Sequence, residues 1–343
     1  MNNIKIFIFS FRISAKYKVF EMQELDSKDH KILYYLFLNS RESLSTIGKK
    51  VGLPKTVVKY RIDRLVNEKI IENFNAMIDV FKLGYNVYRL NFVFQYASPE
   101  KEKEIIHYFV NYKNTWSAAS AKGRFDFTAT ILVKNPGEFY TFYEETLKRF
   151  RYYLKEIDFS QLYEKFGYKY STLFIDSKHS QEKAYEYRFT GKTVEIDNID
   201  YKILCMLAKN SRVPSIEIAK KIKMTSTTII NRIKKLIKDG IIQRYSISID
   251  SIKLGYKPFN VNLSLRNYDK KNNIINYLSS IPFIWEMHKA IGGYDLELSV
   301  FTLNFEHFHK LMEDIRNNFP DDITNYDYLY VTKIHKTNLL PEE

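Results

Sequence analysis

One half of this 343-residue chain repeats the other at an offset of 171 residues. Segments 25–71 and 196–242 align without a gap, and 18 of the 47 pairs are identical. The shared positions include Asp26, Asp29, Ile32, Leu33 and Leu36, which return as Asp197, Asp200, Ile203, Leu204 and Leu207. Asn39-Ser40-Arg41 returns as Asn210-Ser211-Arg212, and Lys82-Leu83-Gly84-Tyr85 as Lys253-Leu254-Gly255-Tyr256. The repeat predicts a chain that folds as two copies of one unit.

Each copy opens with a helix-rich segment and continues with alternating strand and helix patterns. In the first copy the order is strand, helix, strand, strand, helix, strand, over 90–96, 99–110, 116–121, 125–133, 138–150 and 163–174. The second copy has the same order over 259–265, 272–278, 284–290, 296–301, 305–317 and 326–332. This order is the ferredoxin-like arrangement. The expected fold class is therefore α+β, with two copies of a winged helix-turn-helix followed by a ferredoxin-like domain.

The composition along the chain sets the expected boundaries. The two winged helix-turn-helix domains are expected over 25–80 and 195–251, the two ferredoxin-like domains over 81–175 and 252–343, and a polar, charged linker over 176–194. Residues 1–24 form an N-terminal extension in this scheme. Met22 precedes the first capped helical pattern, so residues 1–21 are either an upstream extension of the reading frame or an extra edge strand. The apolar run 4–13 is too short to span a bilayer, and it lacks a small-residue cleavage site.

The helix-rich openings follow the helix-turn-helix plan. In the first copy Ser27 is predicted to cap the first helix, and Ser43 or Ser45 to begin the second. Gly52-Leu53-Pro54 then forms a turn before a third helix over about 55–68. Three short helices with a tight turn before the third are typical of DNA readers.

Side chains on the outward face of each third helix are the candidate DNA contacts. They can hydrogen-bond base edges, touch a thymine methyl group or neutralise phosphate. The predicted set is Lys55, Thr56, Lys59, Tyr60, Arg61 and Arg64 in the first copy, and Ser226, Thr227, Thr228, Asn231, Arg232, Lys234 and Lys235 in the second. Arg61 and Arg232 border the buried stripe, so they are predicted to contact phosphate or to form an internal bridge. The alternative for the whole set is an ordinary solvated helix face.

The charge distribution favours the DNA interpretation. The chain has a formal net charge of +13 and a pI near 9.3. Segment 25–71 carries +5 and segment 196–242 carries +6, which leaves the other 249 residues nearly neutral at +2. Positive charge concentrated on the predicted reader domains points to double-stranded DNA as the partner.

Other classes of function find little support. Cys205 is the single cysteine, so neither an intrachain disulfide nor a Cys-rich zinc site can form, and a cytoplasmic, nucleoid-associated protein is expected. Gly-rich phosphate loops, nucleophile elbows and Cys-x-x-Cys motifs are missing from the sequence. His307 and His309 point about 200° apart on a predicted helix and make a poor metal pair. The prediction is a non-enzyme without catalytic residues, cofactor or metal.

With these motifs the chain resembles the Lrp/AsnC family of prokaryotic transcription regulators, in tandem form. The resemblance rests on the repeated Asp26 and Asn39 motifs, on Gly240-Ile241-Ile242 after the recognition helix, and on the Leu-Gly-Tyr turns. Gly292-Gly293-Tyr294-Asp295 also looks like the family's Gly-x-Tyr-Asp turn. The family implies an effector-binding ferredoxin-like domain that dimerises through its sheet, stacks into larger assemblies and binds amino acids or similar molecules.

The resemblance maps the effector site to Gly292, Gly293, Tyr294 and Asp295. The first copy departs from the pattern with Gly123-Arg124-Phe125-Asp126, which puts an amino acid at Gly123 and Asp126 in doubt. The alternative is that both are β-turns that need glycine for backbone reasons, with aspartate capping the turn.

The expected function is sequence-specific transcription regulation by one chain acting as a pseudo-dimer, modulated by an amino-acid-like effector and able to self-associate. Only Thr56 and Thr227 match among the five outward pairs of the reading faces, so an imperfect palindrome with unlike half-sites is predicted. One alternative is an enzyme like the sirohaem decarboxylases, which look similar in architecture, although no His/Arg cluster for a tetrapyrrole's carboxylates is evident. The other is an architectural chromatin protein without sequence preference.

Overall fold

Three short helices open each half of the chain. The computed structural model describes residues 25–167, 187–338 and 340–341. The helices are α1 Ser27–Leu38, α2 Leu44–Val51 and α3 Lys55–Asn67 in the first half, and α6 Asn198–Lys209, α7 Ser215–Ile222 and α8 Ser226–Lys238 in the second. Both sets have the predicted helix-turn-helix order.

The first helix is capped by Asp26 and not by Ser27 as predicted. The Asp26 carboxylate accepts hydrogen bonds from the backbone N–H groups of Lys28 and Asp29, and Asp29 accepts one from the backbone N–H of Asp26. This reciprocal capping box satisfies more of the free N–H groups than one hydroxyl would. Ser43 caps α2, as one of the two predicted alternatives had it.

The rest of each half follows the predicted strand and helix order. The first half contains β1 Ile71–Ile78, β2 Asn86–Phe94, α4 Pro99–Asn111, β3 Thr115–Gly123, β4 Phe127–Val133, α5 Pro136–Phe150, β5 Leu154–Gly167 and β6 Tyr187–Phe189. The second half contains β7 Ile242–Ile249, β8 Lys257–Leu265, α9 Lys271–Ser280, β9 Ile284–Gly292, β10 Leu296–Thr302, α10 Phe305–Asn318 and β11 Ile323–Thr337.

Eight of these strands close into one antiparallel barrel. Each half contributes a four-stranded ferredoxin-like sheet, in the order β5-β2-β4-β3 and β11-β8-β10-β9. Two seams between the halves, β3 with β11 and β5 with β9, complete the circle. The edges of both sheets are therefore paired within a single chain.

Helices cover the outside of the barrel, and its interior is polar. Leu90 and Phe92 point outward into the core that includes α4 and α5, so Asn91 between them faces the interior. The second half has the same arrangement, with its outer apolar core between the sheet and helices α9 and α10. Buried polar residues on the barrel strands include Asn91, Thr130, Ser160, Asn262, His288 and Glu297.

The two helix-turn-helix domains are interlocked through β1 and β7, which pair as a two-stranded antiparallel ribbon, the β1–β7 ribbon. Ala76 and Ile78 of β1 pack in the core of the second domain, whereas Ile247 and Ile249 of β7 pack in the core of the first. Each half thus completes the hydrophobic core of the other.

The predicted linker contains a short strand. Tyr187–Phe189, inside the predicted linker 176–194, forms β6, pairs with β5 and buries Tyr187 and Phe189 in the core of the first helix-turn-helix domain. The expected extension over 1–24 and the predicted linker residues 176–186 lie outside the described residues. In the described part of the chain, no helix has the length and apolar character needed to cross a bilayer.

Candidate nucleic-acid interface

The recognition helices α3 and α8 bury one face and expose the other. Val58, Ile62 and Leu65 are buried in α3, as are their counterparts Ile229, Ile233 and Leu236 in α8. Among the predicted DNA contacts, the exposed ones are Lys55, Thr56, Lys59, Tyr60, Thr227, Asn231, Lys234 and Lys235. Ser226 and Thr228 are half-buried, and the Thr228 hydroxyl and backbone N–H are held by the helix cap Thr225.

Arg61 and Arg232 form internal bridges, which is one of the two roles that the sequence left open. Nη1 of Arg61 lies 2.8 Å from Oδ2 of Asp26 and 2.9 Å from Oδ1 of Asp29. Arg232 repeats this arrangement, at 2.7 Å from Asp197 and 2.9 Å from Asp200. Asp26 and Asp197 are the N-caps of the first helix of their domains, so each arginine ties a recognition helix to that cap.

These bridges shift the pKa values of the groups involved. A hydrogen bond from the backbone N–H of Asp200 lowers the pKa of the Asp197 carboxyl, and Arg232 lowers it further. Hydrogen bonds to Asp26 and Asp29 raise the pKa of Arg61. Both shifts favour the charged forms, so the bridges persist at neutral pH.

The side chain of Arg64 points into the domain, whereas the sequence predicted that it lies on the outward face of α3. Its Nη2 lies 2.5 Å from Oδ2 of the buried Asp29, and only 16% of its side chain is exposed. The corresponding residue of the second copy, Lys235, is exposed. The long guanidinium side chain reaches back to α1, which the angular position around α3 does not reveal.

The two reading faces also differ in charge. On α3, Lys59 is paired with Asp63 one turn later, and both side chains are more than half exposed. Lys234 occupies the position of Asp63 in α8, so the second face carries an additional positive charge where the first carries a negative one. The second face is the more basic, which sharpens the expected difference between half-sites.

The repeated Asn-Ser-Arg triplets mark the contact between the two helix-turn-helix domains, a role that sequence reasoning missed. Oγ of Ser40 lies 2.7 Å from Oγ of Ser211, and both side chains are buried. Arg212 donates to the carbonyl of Glu42 at 3.1 Å, and Arg41 donates to that of Val213 at 3.5 Å. The sequence did contain a signal for this contact. The same polar triplet occurs in both copies, although it lies neither in the apolar core pattern nor on the outward face of the recognition helix.

The repeated Lys-Leu-Gly-Tyr turns hold the recognition helices from the opposite half. Nζ of Lys82 lies 2.7 Å from the carbonyl oxygen of Asp239, the C-cap of α8. Nζ of Lys253 lies 2.7 Å from the carbonyl oxygen of Glu68, the C-cap of α3. A lysine near the last carbonyls of a helix stabilises its negative end.

The candidate effector turns lie at the two barrel seams. Gly123 and Gly292 have φ values of +125° and +116°, and a Cβ would lie 2.8 Å from the carbonyl oxygen of Tyr328 or 3.0 Å from that of Phe159. Both positions therefore require glycine for backbone reasons. A Cβ at Gly293 would lie 2.7 Å from Oδ1 of Asp158.

The aspartates of these turns bind backbone groups. Asp126 accepts a hydrogen bond from the N–H of Phe94 at 3.0 Å, and Asp295 accepts one from that of Leu265 at 2.7 Å. The hydroxyl of Tyr294 donates to Asp327 at 2.8 Å, and burial together with this bond raises the pKa of Tyr294. The backbone interpretation accounts for both aspartates, and effector contact at the turns stays a prediction.

Comparisons with known proteins match these domains. Residues 25–66 match the AsnC-type helix-turn-helix domain, and residues 196–243 match the winged helix-turn-helix DNA-binding family. The HTH-type transcriptional regulator LrpB of Bacillus subtilis (strain 168) is 31% identical over 159 residues, which are 44% of this chain and 100% of LrpB. The chain belongs to the Lrp/AsnC family.

Further Lrp/AsnC relatives are similar over comparable lengths. The regulator FL11 of Pyrococcus horikoshii is 30% identical over 43% of this chain and 97% of its own length. Regulatory protein AsnC of Haemophilus influenzae is 31% identical over 34% of this chain and 79% of its own length. Each relative accounts for a third to a half of the tandem chain. These regulators together with the two helix-turn-helix domains support DNA-binding transcription regulation.

One solved structure is similar over almost the whole tandem Lrp/AsnC chain. The sirohaem decarboxylase NirDL superposes with a TM-score of 0.62 over 92% of this chain and 94% of its own, at 15% identity. At this identity the likeness shows a shared fold and no more.

The structure also corrects the statement that a His/Arg cluster is missing. Arg89, Lys165, Arg244 and His288 line one cavity of about 260 Å³ between the β1–β7 ribbon and the barrel. Arg89 and Lys165 are engaged by carboxylates, 2.6 Å from Glu297 and 2.7 Å from Glu286 respectively. The cavity is smaller than the range of about 300–1,000 Å³ for small-molecule sites, which does not favour a macrocycle with many carboxylates. Among the described residues, no cluster of three or more His, Cys, Asp or Glu could hold a metal ion.

Proposed function

We propose that this Lrp/AsnC protein is a sequence-specific transcription regulator in which one chain presents two recognition helices as a fixed pair. The observation that carries the proposal is the interlocked arrangement of the two basic helix-turn-helix domains. They share the β1–β7 ribbon and the buried contact between Ser40 and Ser211. Because the second domain is intramolecular, its effective concentration at DNA is high once the first has bound.

The two half-sites are proposed to differ in sequence. Tyr60, which is 66% exposed, corresponds to Asn231 in the second copy, and the Lys59–Asp63 pair corresponds to Ile230 and Lys234. Asparagine can bind adenine through two hydrogen bonds, whereas tyrosine offers a hydroxyl and an aromatic face. Unlike side chains at matching positions favour an imperfect palindrome.

Selection of bound duplexes from a random pool tests this proposal. We expect a two-part consensus with unlike halves, separated by about one or more helical turns. A perfectly symmetric consensus would contradict the unlike half-sites. Equal affinity for selected and random duplexes at physiological salt would instead support the architectural chromatin alternative.

Lysine variants test which helix supplies the charges that bind DNA. Lys234→Ala combined with Lys235→Ala removes two exposed charges from α8, and we expect weaker binding with one half of the consensus lost or relaxed. Lys310→Ala removes a single exposed lysine, 72% accessible and paired with Glu306, from the outer helix α10. This variant should bind like the unaltered chain.

We also propose effector control and higher assembly in a nucleoid-associated protein. Support comes from the turns at Gly123 and Gly292, which lie at the barrel seams, where a bound amino acid would alter how pairs of domains stack. Titrating single amino acids into the DNA complex should reveal a change in affinity or in assembly size. Tyr294→Phe removes the hydroxyl near the second turn and should weaken that response but not basal binding; an unchanged response, or loss of basal binding, would argue against this position.

An enzyme would behave differently in the same preparation. A red-brown purified protein that binds sirohaem tightly but has no affinity for DNA would reverse the proposal. The relatives named above are regulators, and the two exposed basic faces have no use in decarboxylation, so we expect a colourless protein that binds DNA.

A further inference from the structure

A cavity of about 260 Å³ lies where the β1–β7 ribbon covers one mouth of the barrel, and we call it the barrel-mouth cavity. The ribbon side contributes Asn75, Met77 and Arg244, and the barrel side contributes Arg89 and His288. Aromatic side chains form much of the remaining wall: Phe37, Trp116, Tyr187, Trp285 and Phe301. Mouths of barrels are common ligand sites, and an eight-stranded barrel can hold one small ligand.

Two buried polar groups at this cavity have atoms without a hydrogen-bond partner among the described residues. His288 is 2% exposed and its Nδ1 has no partner, and Asn75 is 4% exposed and its Oδ1 has none. Burial, with Arg89 and Lys165 nearby, holds the pKa of His288 well below its usual range, so the imidazole is neutral. A buried polar atom left unpaired costs about 1–3 kcal/mol, so such groups usually meet a partner.

In the part of the chain that the structure describes, three cationic and two acidic side chains line the cavity, and Arg89 and Lys165 are paired with Glu297 and Glu286. Arg89, Lys165 and Arg244 are cationic, whereas Glu72 and Glu286 are the acidic groups. Burial raises the pKa of the Glu72 carboxyl. The guanidinium of Arg244 lies over the rings of Phe37 and Tyr187, at 4.3 Å and 5.0 Å from their centroids. The cavity thus combines aromatic walls with the buried cation of Arg244.

The polar side chains of the cavity are not repeated at the equivalent positions of the other copy. Arg244 corresponds to Asn73 in the other copy, His288 to Ala119, and Lys165 to Ile334. The two tryptophans, by contrast, occupy equivalent positions on β3 and β9. The polar groups therefore define one site for each chain, which a symmetric pair of identical subunits could not contain.

We propose that the barrel-mouth cavity binds a small aromatic molecule with a single carboxylate, one molecule for each chain. The rings of Trp116 and Trp285 supply apolar contact, Arg244 supplies the charge, and His288 and Asn75 supply hydrogen bonds. The site is distinct from the turns at Gly123 and Gly292, and it stands independently of DNA binding. Because its walls come from both the ribbon and the barrel, the bound molecule would bridge the DNA-reading domains and the barrel.

The chain carries its own probe for this site. Trp116 and Trp285 are its only tryptophans, and both line the cavity. Intrinsic tryptophan fluorescence of the full chain is therefore measured with three molecules of similar shape: phenylacetate, phenethyl alcohol and phenethylamine. We expect saturable binding of phenylacetate, with affinity at least about tenfold higher than for the neutral and cationic analogues.

A pair of variants locates the binding. Arg244→Met keeps the side-chain bulk, and we expect it to lower phenylacetate affinity about tenfold while phenethyl alcohol binding is unchanged. Arg316→Met removes an exposed arginine from α10 and should change neither. Asn75→Ala, with one polar atom fewer at the ribbon, is the second variant if circular dichroism shows that Arg244→Met has not folded, and it should also weaken phenylacetate binding.

Several results would overturn the proposal. They are the absence of saturable binding, equal affinity for the three molecules, or equal losses in Arg244→Met and Arg316→Met. DNA affinity of the same preparations is measured separately, so that a chain which binds phenylacetate but not DNA fails only the proposed function. A chain that binds DNA but shows no charge preference in fluorescence fails only this inference.

Discussion

Arg64 and Lys235 occupy the same position in the two copies, yet the structure gives them opposite surroundings. Arg64 is paired with buried Asp29, whereas Lys235 is exposed on the second reading face. We expect Arg64→Ala to lower the free energy of unfolding by about 1–3 kcal/mol, because a buried carboxylate loses one of its partners. Lys235→Ala should leave stability nearly unchanged but reduce DNA affinity and lower the salt slope by about one.

Urea unfolding and DNA titrations over a series of salt concentrations measure these two effects. If Arg64→Ala reduced the salt slope as Lys235→Ala does, the arginine would have to leave Asp29 to reach phosphate. The assignment of Arg64 to the interior of the domain would then be wrong.

Asp79 predicts a dependence of stability on pH. Its buried carboxylate accepts hydrogen bonds from the backbone N–H groups of Phe81, Lys82 and Thr190. Burial nevertheless raises the pKa of Asp79 to about 6, above the ordinary value of 3.8. The folded chain therefore holds this proton more tightly, and its contribution to stability is complete below pH about 4 and lost as the pH rises through about 6.

Asp79→Asn should remove that dependence. Relative to the variant, the unaltered chain should gain up to about 3 kcal/mol of stability when the pH falls from 7.5 to about 4. Urea unfolding across this range measures the difference. Parallel stability curves for the two proteins would show that the carboxylate stays ionised in the fold.

For single residues, the sequence predicted which apolar side chains are buried better than it predicted which charged side chains form ion pairs. Val58, Ile62 and Leu65 are buried in α3 as their spacing requires. The inward turn of Arg64 was not predictable, because helical spacing gives only the direction of Cβ. A long side chain can still bend toward a carboxylate on another helix.

The lysine of each Lys-Leu-Gly-Tyr turn contacts the recognition helix of the other half, so substituting it should affect that helix and not the one in its own half. Lys253, in the second half, caps α3 in the first, and Lys82 in the first half caps α8 in the second. We expect Lys253→Met to loosen the last turn of α3 by about 0.3–1 kcal/mol, and Lys82→Met to do the same to α8.

Amide hydrogen exchange of the two helices checks this crossing, because each variant serves as the control for the other. Faster exchange in the helix of the same half, or an equal rise in both helices, would be inconsistent with the observed contacts. The expected pattern is local, since the rest of each helix keeps its own hydrogen bonds.

The bounds of helices and strands were predictable where a local sequence pattern marks them. They were less predictable where they depend on pairing with a strand far away in the sequence. The bounds of α4 and α5 lie within about two residues of their predicted positions, because apolar periodicity and proline at the first turn mark them. Strand β5 begins at Leu154, well before the predicted start at 163, because charged residues among 155–158 interrupt the apolar alternation. The pairing of β6 with β5 was missed because it depends on strand contacts far apart in sequence.

For the whole molecule, the structure predicts that the two halves hold together without the connection between them. Two barrel seams and the β1–β7 ribbon join them through main-chain hydrogen bonds. If a protease site is inserted within residues 176–186 and cleaved, the fragments should co-elute in gel filtration and separate only in denaturant. DNA binding should survive the cut, although dilution would then weaken it.

Separation of the fragments at micromolar concentration would contradict this prediction. A chain with the inserted site, left uncut, is the matched control for any effect of the insertion itself. The sequence alone predicted two equivalent units from the 171-residue repeat. The family resemblance implied that the two units pair through their sheets. It did not imply that the paired sheets close into one barrel, because hydrogen bonds across the seams leave no repeat signal.

Because the barrel edges are paired within one chain, the two reading domains of a pair are always encoded by the same gene copy. In regulators built from separate identical subunits, altered and normal subunits mix, and one defective partner disables the pair. Here both reading domains of a pair come from one translation product, and within the described residues every strand of the barrel is paired on both sides. A cell with one altered and one normal copy of this gene would therefore still make pairs in which both recognition helices are normal, whatever larger assemblies those pairs enter.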